Sequence, residues 1–241
     1  MARLVSLNIE RSRHLDRLIP FLRQHQPDVV CLQELVQRDI EAICAGTGLA
    51  HVHFAEMAVH PADNQLFGVG ILASEPFDDA DVVRYAGNGS GSQLFDRTTT
   101  ESRVETCRYV AARVRLSGAA RGLTVATTHF PWTPDGQSRP FQTAAVTSMI
   151  EGLQGPLILT GDFNAPRGGP VFASLAAAWT DCIPGDVVTS IDPELHRSGP
   201  LQLMVDGLFV TPRYRAEAVR LQTGLSDHQA VTARVVAAVA S

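Results

Sequence analysis

Five short segments of the sequence each place a chemically active side chain directly after a hydrophobic run. In chain order they are LNIE, LQE, TTHF, TGDFN and VDGLFV, and a sixth segment, SDH, follows near the end. A single Asp, Asn or His in such a place is most often a cap or a turn residue. The design that the segments share, rather than any one residue, therefore predicts a functional site.

The active side chains in these segments are mostly carboxylates. The candidates are Asn8, Glu10, Glu34, His129, Asp162, Asn164, Asp206, Asp227 and His228. If the strands lie side by side, the carboxylates share one cleft, where each like-charged pair at roughly 4 Å costs about 4 kcal/mol at an effective dielectric constant of about 20. Such a cluster needs a cation.

The ligand types indicate which cation and which reaction to expect. Hard oxygen ligands without cysteine suit magnesium or manganese better than zinc, which the histidines leave as a minor alternative. Magnesium can polarise a phosphoryl oxygen and stabilise a departing alkoxide, while a carboxylate orients or deprotonates the attacking water. A histidine can contact the charge that develops on the phosphoryl group. The sequence thus predicts metal-dependent hydrolysis of a phosphate ester.

The elements that must position these residues have an α/β pattern. Apolar spacing predicts a helix from Ser12 to His25 and another from about Pro140 to Gly152. The runs that lead into the active residues, together with FGVGILAS, CRYVAARVRL and the final AVTARVVAAVA, read as strands. We expect a single domain over residues 1–241, because a chain of this length can bury one substantial core.

Composition excludes several alternative chemistries. All 20 basic residues are arginine, so there can be no Schiff base, no P-loop lysine and no lysine general base. The formal net charge of −5 weakens the case for strong electrostatic binding to a long nucleic acid without excluding such binding. The cysteines form no C-x-x-C pair and are expected to be buried free thiols. No apolar run reaches about 18 residues, and the start lacks a cleavage site, so a cytoplasmic location is expected.

The ordered set LNIE, LQE, THF, GDFN, VDGLFV and SDH resembles the endonuclease/exonuclease/phosphatase superfamily. This superfamily includes deoxyribonuclease I, abasic-site endonucleases, neutral sphingomyelinases and inositol polyphosphate 5-phosphatases. The resemblance runs from Asn8 to His228, nearly the whole chain. It implies a four-layer α/β sandwich in which two packed mixed β-sheets are flanked by helices, as in deoxyribonuclease I.

The same resemblance implies a metal site. Glu34 would be the principal metal ligand, with Glu10 and Asp227 beside it directly or through water. Asn8 and Asn164 would hold the scissile phosphate or the metal shell.

It also implies which groups move protons. Asp162 would align or activate the attacking water, and His228 would contact a phosphate oxygen in the transition state. Asp206 would orient the imidazole of His228. His129 would assist the leaving oxygen, although the sequence offers it no convincing carboxylate partner.

Three further residues are candidates for substrate contact. Arg108 and Arg139 could bind phosphate, but an exposed arginine is more often a solvated surface charge. Trp132, in the FPWTPDG segment, is either a wall for a flat substrate group or a packing residue of its loop.

Three functions stay open at this level. The first is a phosphodiesterase that acts on nucleic acid or a nucleic-acid adduct. The second is a phosphoesterase for a small molecule or a lipid headgroup, for which net charge is no obstacle. A binding protein that kept the fold and lost catalysis is a third, but it predicts damaged motifs, and these are intact. The sequence does not predict an oligomeric state.

Overall fold

The computed structural model describes residues 1–238 and contains two six-stranded sheets. The first sheet contains, in spatial order, β11 (Tyr214–Gln222), β12 (Ala230–Ala237), β1 (Ala2–Asn8), β2 (Val29–Val36), β4 (Gln65–Ala73) and β3 (His51–His60). The second contains β5 (Phe77–Ala86), β6 (Tyr109–Leu116), β7 (Thr124–His129), β8 (Ile158–Asp162), β10 (Asp206–Val210) and β9 (Thr180–Asp181).

Both sheets are mixed. In the first, β1 and β2 run parallel, and in the second β7 and β8 do so, whereas the other neighbouring strands are antiparallel. Each parallel pair sits inside its sheet, where both faces are covered, as parallel strands require. The predicted pair of mixed sheets is confirmed.

Helices cover the outer faces. The structure has α1 (Leu15–His25), α2 (Ile40–Thr47), α3 (Thr100–Thr106), α4 (Pro140–Gly152) and α5 (Pro170–Ala178). Helices α1 and α2 share a buried apolar cluster with the first sheet, while α4 and α5 pack against the second. The predicted four-layer sandwich is therefore confirmed. The helix predicted from Ser12 begins with a 3₁₀ turn at Arg11–His14, and the one at Pro140–Gly152 is found as predicted.

The main core lies between the two sheets. Along β2, Val29 and Cys31 belong to this core, while Val30 and Leu32 belong to the cluster under α1. Successive side chains of a strand point to opposite faces, so a strand covered on both sides must be apolar throughout. This explains why the hydrophobic runs before the active residues are continuous.

A few buried polar contacts join the sheets below the ends of the central strands. Gln33 Nε2 donates to Thr127 Oγ1 (2.8 Å) and to Ser6 Oγ (3.2 Å), and Thr160 Oγ1 also bonds Ser6 Oγ. Buried polar groups without such partners would be costly, so these bonds favour one alignment of the two sheets. That alignment brings the end of β1 opposite the end of β8.

Two further features bear on the sequence predictions. No helix among residues 1–238 combines the length and the apolar character needed to cross a membrane. All four cysteines are free: Cys31 and Cys107 are buried, as expected, while Cys44 and Cys182 are only partly buried. Burial raises the pKa of the Cys107 thiol to about 12.

Candidate active site

The register of the second sheet brings three of the predicted residues together. Asp162, the last residue of β8, lies directly opposite His129 on β7 and directly opposite Asp206 on β10. Opposed residues on neighbouring strands point to the same face of a sheet. The segments TTHF, TGDFN and VDGLFV therefore meet at one edge.

The first sheet contributes Asn8 and Glu34 to the same site. Asn8 ends β1, and its Nδ2 donates to Asp162 Oδ2 at 3.0 Å, joining residues 154 positions apart. Glu34 lies where the pairing of β2 with β4 shifts between Leu32 and Leu35, and its φ is 54°. A bulge of this kind breaks the alternation of a strand and re-aims one side chain. Here it makes Glu34 part of the lining of the cleft.

Asp162 is the residue that the other groups surround. It is only 1% exposed, and its Oδ1 accepts the backbone N–H of Asn164 at 2.8 Å. The side-chain amide of Asn164 in turn donates to the carbonyl of Phe130 at 2.8 Å, so this residue ties the turn after β8 to the end of β7. Both oxygens of the Asp162 carboxylate therefore accept hydrogen bonds that fix its orientation.

The position of Gly161 in β8 explains why glycine precedes Asp162 in the segment TGDFN. Its φ is +150°, and a Cβ at this position would lie 2.1 Å from the carbonyl oxygen of Thr128 on the neighbouring strand. Only glycine allows strands β7 and β8 to approach this closely before Asp162.

His228 and Asp206 form a buried pair. His228 Nδ1 donates to Asp206 Oδ2 at 2.8 Å, and His228 Nε2 lies 3.7 Å from Asp162 Oδ2. Burial alone would lower the pKa of His228, but the carboxylates of Asp206 and Asp162 outweigh it and hold that pKa well above its usual range. Burial also raises the pKa of Asp206, whose backbone N–H donates to Ser190 Oγ (3.1 Å). The pair therefore holds a proton around neutral pH.

His129 gains the carboxylate partner that the sequence did not reveal. Its Nε2 lies 3.5 Å from Asp162 Oδ2, while its Nδ1 is buried and has no hydrogen-bond partner among the described residues. Both active-site histidines thus approach the same carboxylate oxygen. Such an oxygen can exchange a proton with either ring.

Two groups of side chains could hold a metal ion. Ligand atoms of Asp162, Asp206 and His228 all lie within 4.8 Å of one another. A cation bound there would have to break the hydrogen bond between His228 and Asp206. Glu34 and Asp227 line the same cleft without that obstacle, and among residues 1–238 no hydrogen bond ends on the Glu34 carboxylate.

The surroundings of Asp227 fit a cation. Burial raises the pKa of its carboxyl, and the nearby charges of Glu10 and Glu34 raise it further. Carboxylates that repel one another in a partly buried cleft are stabilised by a divalent ion, which prefers oxygen ligands of this kind. The donor set therefore fits the predicted ion.

Glu10 forms ion pairs with arginines of the protein. It is 4% exposed, and its carboxylate contacts Arg197 Nε (3.0 Å), Arg13 Nε (3.3 Å) and His14 Nε2 (3.1 Å). Burial alone would raise the pKa of Glu10, but the hydrogen bonds from Arg197 and His14 and the charge of Arg13 together lower it. A metal ion would have to displace some of these contacts, so direct ligation by Glu10 stays a prediction.

The two arginines predicted to bind phosphate lie elsewhere. Arg108 Nε donates to the carbonyl of Glu56 at 3.3 Å, and its guanidinium lies 3.6 Å from that residue's carboxylate. Arg139 is the N-cap residue of α4; its N–H donates to Gln142 Oε1 (3.2 Å), and its guanidinium pairs with Asp135. Neither arginine lines the cleft in the part of the chain that the structure describes. Their predicted role has no support in this geometry.

The cleft also contains residues that the sequence did not single out. It is a cavity of about 350 Å³, and arginine and aromatic side chains line it together with the catalytic candidates. Trp132 lines it and is 40% exposed, which favours its reading as a wall for substrate. The guanidinium of Arg103 lies 4.6 Å from the centre of the Trp132 ring. Nothing in the sequence around Arg97, Arg103 or Arg197 distinguishes these arginines from surface charges.

Comparison with known proteins places this geometry in a family. The chain is 26% identical over 178 residues to Nocturnin of Drosophila melanogaster; the match covers 70% of the chain, which spans only 26% of that relative's length. Two solved structures superpose over 98% of the chain. One is an endonuclease/exonuclease/phosphatase from Bacteroides vulgatus (TM-score 0.73, 17% identity, 99% of that chain). The other is the human Nocturnin catalytic domain with a bound sulfate anion (TM-score 0.70, 15% identity, 93% of that chain). The sequence model of the Endonuclease/Exonuclease/phosphatase family matches residues 5–228, and the chain therefore belongs to that family.

Proposed function

We propose that the protein hydrolyses a phosphate ester with water and a divalent cation, magnesium or alternatively manganese. The observation that carries the proposal is the position of Asp162, which Asn8, His129 and His228 all approach through one carboxylate oxygen. Next to it, Glu34 and Asp227 line the same cleft and would hold the ion, with Glu10 beside them. When bound, the ion would stabilise negative charge on the phosphoryl group and on the leaving oxygen.

The contacts of each candidate catalytic group support a specific role in this reaction. Asp162 orients the attacking water and accepts its proton, because Asn8 and the turn at Asn164 fix the carboxylate in place. His228, protonated through its bond to Asp206, donates to a phosphoryl oxygen as charge develops there. His129 approaches Asp162 through Nε2 and assists the leaving oxygen.

Of the substrate classes that the sequence left open, the shape of the cleft favours a compact one. A cavity of about 350 Å³ falls in the range of pockets for small molecules. A nucleic acid could present a single terminal nucleotide to it, and nucleic acid or a nucleic-acid adduct stays the alternative substrate. The sulfate bound to the human Nocturnin domain is consistent with an oxyanion site in this fold. The cytoplasmic location also stays a prediction.

A substrate panel with magnesium tests the reaction. It would contain bis-p-nitrophenyl phosphate, nucleoside mono- and bisphosphates, single-stranded DNA, RNA, an abasic duplex, sphingomyelin and inositol polyphosphates. We expect hydrolysis of at least one phosphate ester, loss of activity in EDTA, and recovery with magnesium or manganese. Activity that survives thorough chelation, or no hydrolysis of any member of the panel, would contradict the proposal.

A further inference from the structure

Two arginines in the cleft lack a salt-bridge partner among the described residues. Arg97 and Arg103 both line the cavity, and among residues 1–238 neither guanidinium lies within 4.0 Å of a carboxylate or donates a side-chain hydrogen bond to the protein. By contrast, Arg197 pairs with Glu10, and Arg11 lies 3.6 Å from Asp63. Two like charges that line one cavity without a salt-bridge partner repel each other, and an anion between them would relieve this.

The burial of Arg103 strengthens this point. Its guanidinium lies against two aromatic rings, 4.6 Å from the centre of Trp132 and 5.7 Å from that of Phe95. Burial lowers the pKa of Arg103, and the neighbouring charge of Arg97 lowers it further. The rings hold the guanidinium in place but do not neutralise it.

A buried histidine supplies an independent observation. His60 lines the same cavity, is 6% exposed, and its Nε2 is buried without a hydrogen-bond partner among the described residues. Its Nδ1 receives hydrogen bonds from Arg11 Nη1 (3.0 Å) and from the Ala62 N–H (3.2 Å). Because arginine and a backbone N–H can only donate, Nδ1 must be the acceptor, and the proton lies on Nε2. The cavity wall thus contains a buried donor that lacks an acceptor.

The short chain separation of His129 and Trp132 limits the size of a ligand that could contact both the Asp162 cluster and the Trp132 wall. Trp132 follows His129 by three residues, so their Cα atoms are separated by at most about 11 Å. A ligand with one phosphoryl group beside Asp162 could therefore place a second one among the arginines. The exposed face of Trp132 would lie against a flat group between them.

We propose that Arg97, Arg103 and His60, together with Trp132, form an arginine pocket that binds a second phosphate group of the substrate. The substrate is a small molecule with two phosphate groups and a flat ring, such as a nucleoside bisphosphate. The inference rests on the proposed function, since it assigns the phosphate that is cleaved to the Asp162 side. Water forms the new bond to phosphorus there, the ester P–O bond breaks, and the leaving oxygen takes a proton. The products are inorganic phosphate and the monophosphate.

Binding and turnover test the arginine pocket separately. Calorimetry in EDTA would measure the affinity of the full chain for adenosine 3′,5′-bisphosphate. Arg97 is exposed, so Arg97→Gln should fold normally, and we expect it to bind at least about tenfold more weakly, as loss of one charge-assisted hydrogen bond predicts. Arg103→Gln should show a similar loss. Arg115→Gln, at an exposed arginine that does not line the cavity, is the matched control and should bind like the natural sequence.

Kinetics with magnesium give the second readout. We expect kcat/KM for the bisphosphate to exceed that for adenosine 5′-monophosphate at least about tenfold, and Arg97→Gln to bring this ratio towards one. Hydrolysis without any dependence on Arg97 would overturn the arginine pocket and leave the proposed function standing. If the bisphosphate binds in a way that depends on Arg97 but no ester is hydrolysed, the arginine pocket stands and the proposed function is overturned. A single-stranded oligonucleotide preferred over the bisphosphate would overturn the small-molecule assignment.

Discussion

Replacing Asp206 with asparagine should remove the charge that keeps His228 protonated while hardly changing the shape of the side chain. Asp206 Oδ2 lies 2.8 Å from His228 Nδ1, and both residues are buried. In Asp206→Asn the amide can donate to Nδ1, which moves the ring proton to Nε2 and leaves the ring neutral. A neutral ring stabilises charge on a phosphoryl oxygen less well than an imidazolium does.

The size of the effect follows from the distance. The centres of the carboxylate and imidazolium charges lie roughly 4 Å apart, which corresponds to about 4 kcal/mol at an effective dielectric constant of about 20. Since a tenfold change in rate corresponds to about 1.4 kcal/mol, the largest loss of kcat would be about a thousandfold. We expect a loss of between about a hundredfold and a thousandfold, because the His228 ring stays in place and can still donate one hydrogen bond.

The assay is a double-mutant cycle on bis-p-nitrophenyl phosphate with saturating magnesium. It compares kcat for Asp206→Asn, His228→Asn and the double variant. If Asp206 acts through His228, the double variant loses no more activity than His228→Asn alone. Asp186→Asn, in an exposed part of the chain, is the matched control and should keep full activity. Losses that multiply in the double variant would refute the coupling between the two residues.

Three other changes test separate parts of the site. Asp162→Asn should lower turnover at least about a hundredfold with an unchanged circular dichroism spectrum, because it removes the acceptor for the proton of water; comparable activity would disprove its role. Glu34→Gln should raise the magnesium concentration for half-maximal activity at least about tenfold, whereas an unchanged magnesium titration would count against ligation. Gly161→Ala should destabilise the fold by at least about 2 kcal/mol in urea unfolding, since the new Cβ meets the Thr128 carbonyl; an unchanged midpoint would show that the strands can separate.

The secondary structure was predictable where the sequence pattern reflects burial. The central strands are covered on both faces and read as apolar runs, and α4 begins at a proline and repeats its apolar residues at helical spacing. Strand β5 was not predicted, because it lies at the edge of its sheet and four residues of its sequence, FDDADVVRYA, are charged. Helix α3 has only seven residues and depends on a local cap, in which Thr99 Oγ1 accepts the Ser102 N–H.

The site was predictable to the extent that its residues follow those apolar runs. The register places His129, Asp162 and Asp206 side by side because each lies at the end of its strand. The surroundings of the site depend instead on loops whose course no local pattern defines. The contact between Glu10 and Arg197 spans 187 positions, and no local sequence pattern connects the two residues.

The same limit applies to the arginines. Arg108 was a candidate for phosphate contact, yet it pairs with Glu56 outside the cleft. Arg97 and Arg103 line the cleft, although the segments around them carry no distinguishing motif. The difference between these arginines lies in their partners, and only the folded chain shows which guanidinium groups lack one.

Anomalous diffraction from crystals grown with manganese would test most directly whether the distant segments meet around one metal ion. The account predicts a single strong peak within about 2.5 Å of a Glu34 carboxylate oxygen, close to Asp227, with the bond between His228 and Asp206 intact. A peak bound instead between Asp206 and His228, or no peak in crystals of an active protein, would contradict it.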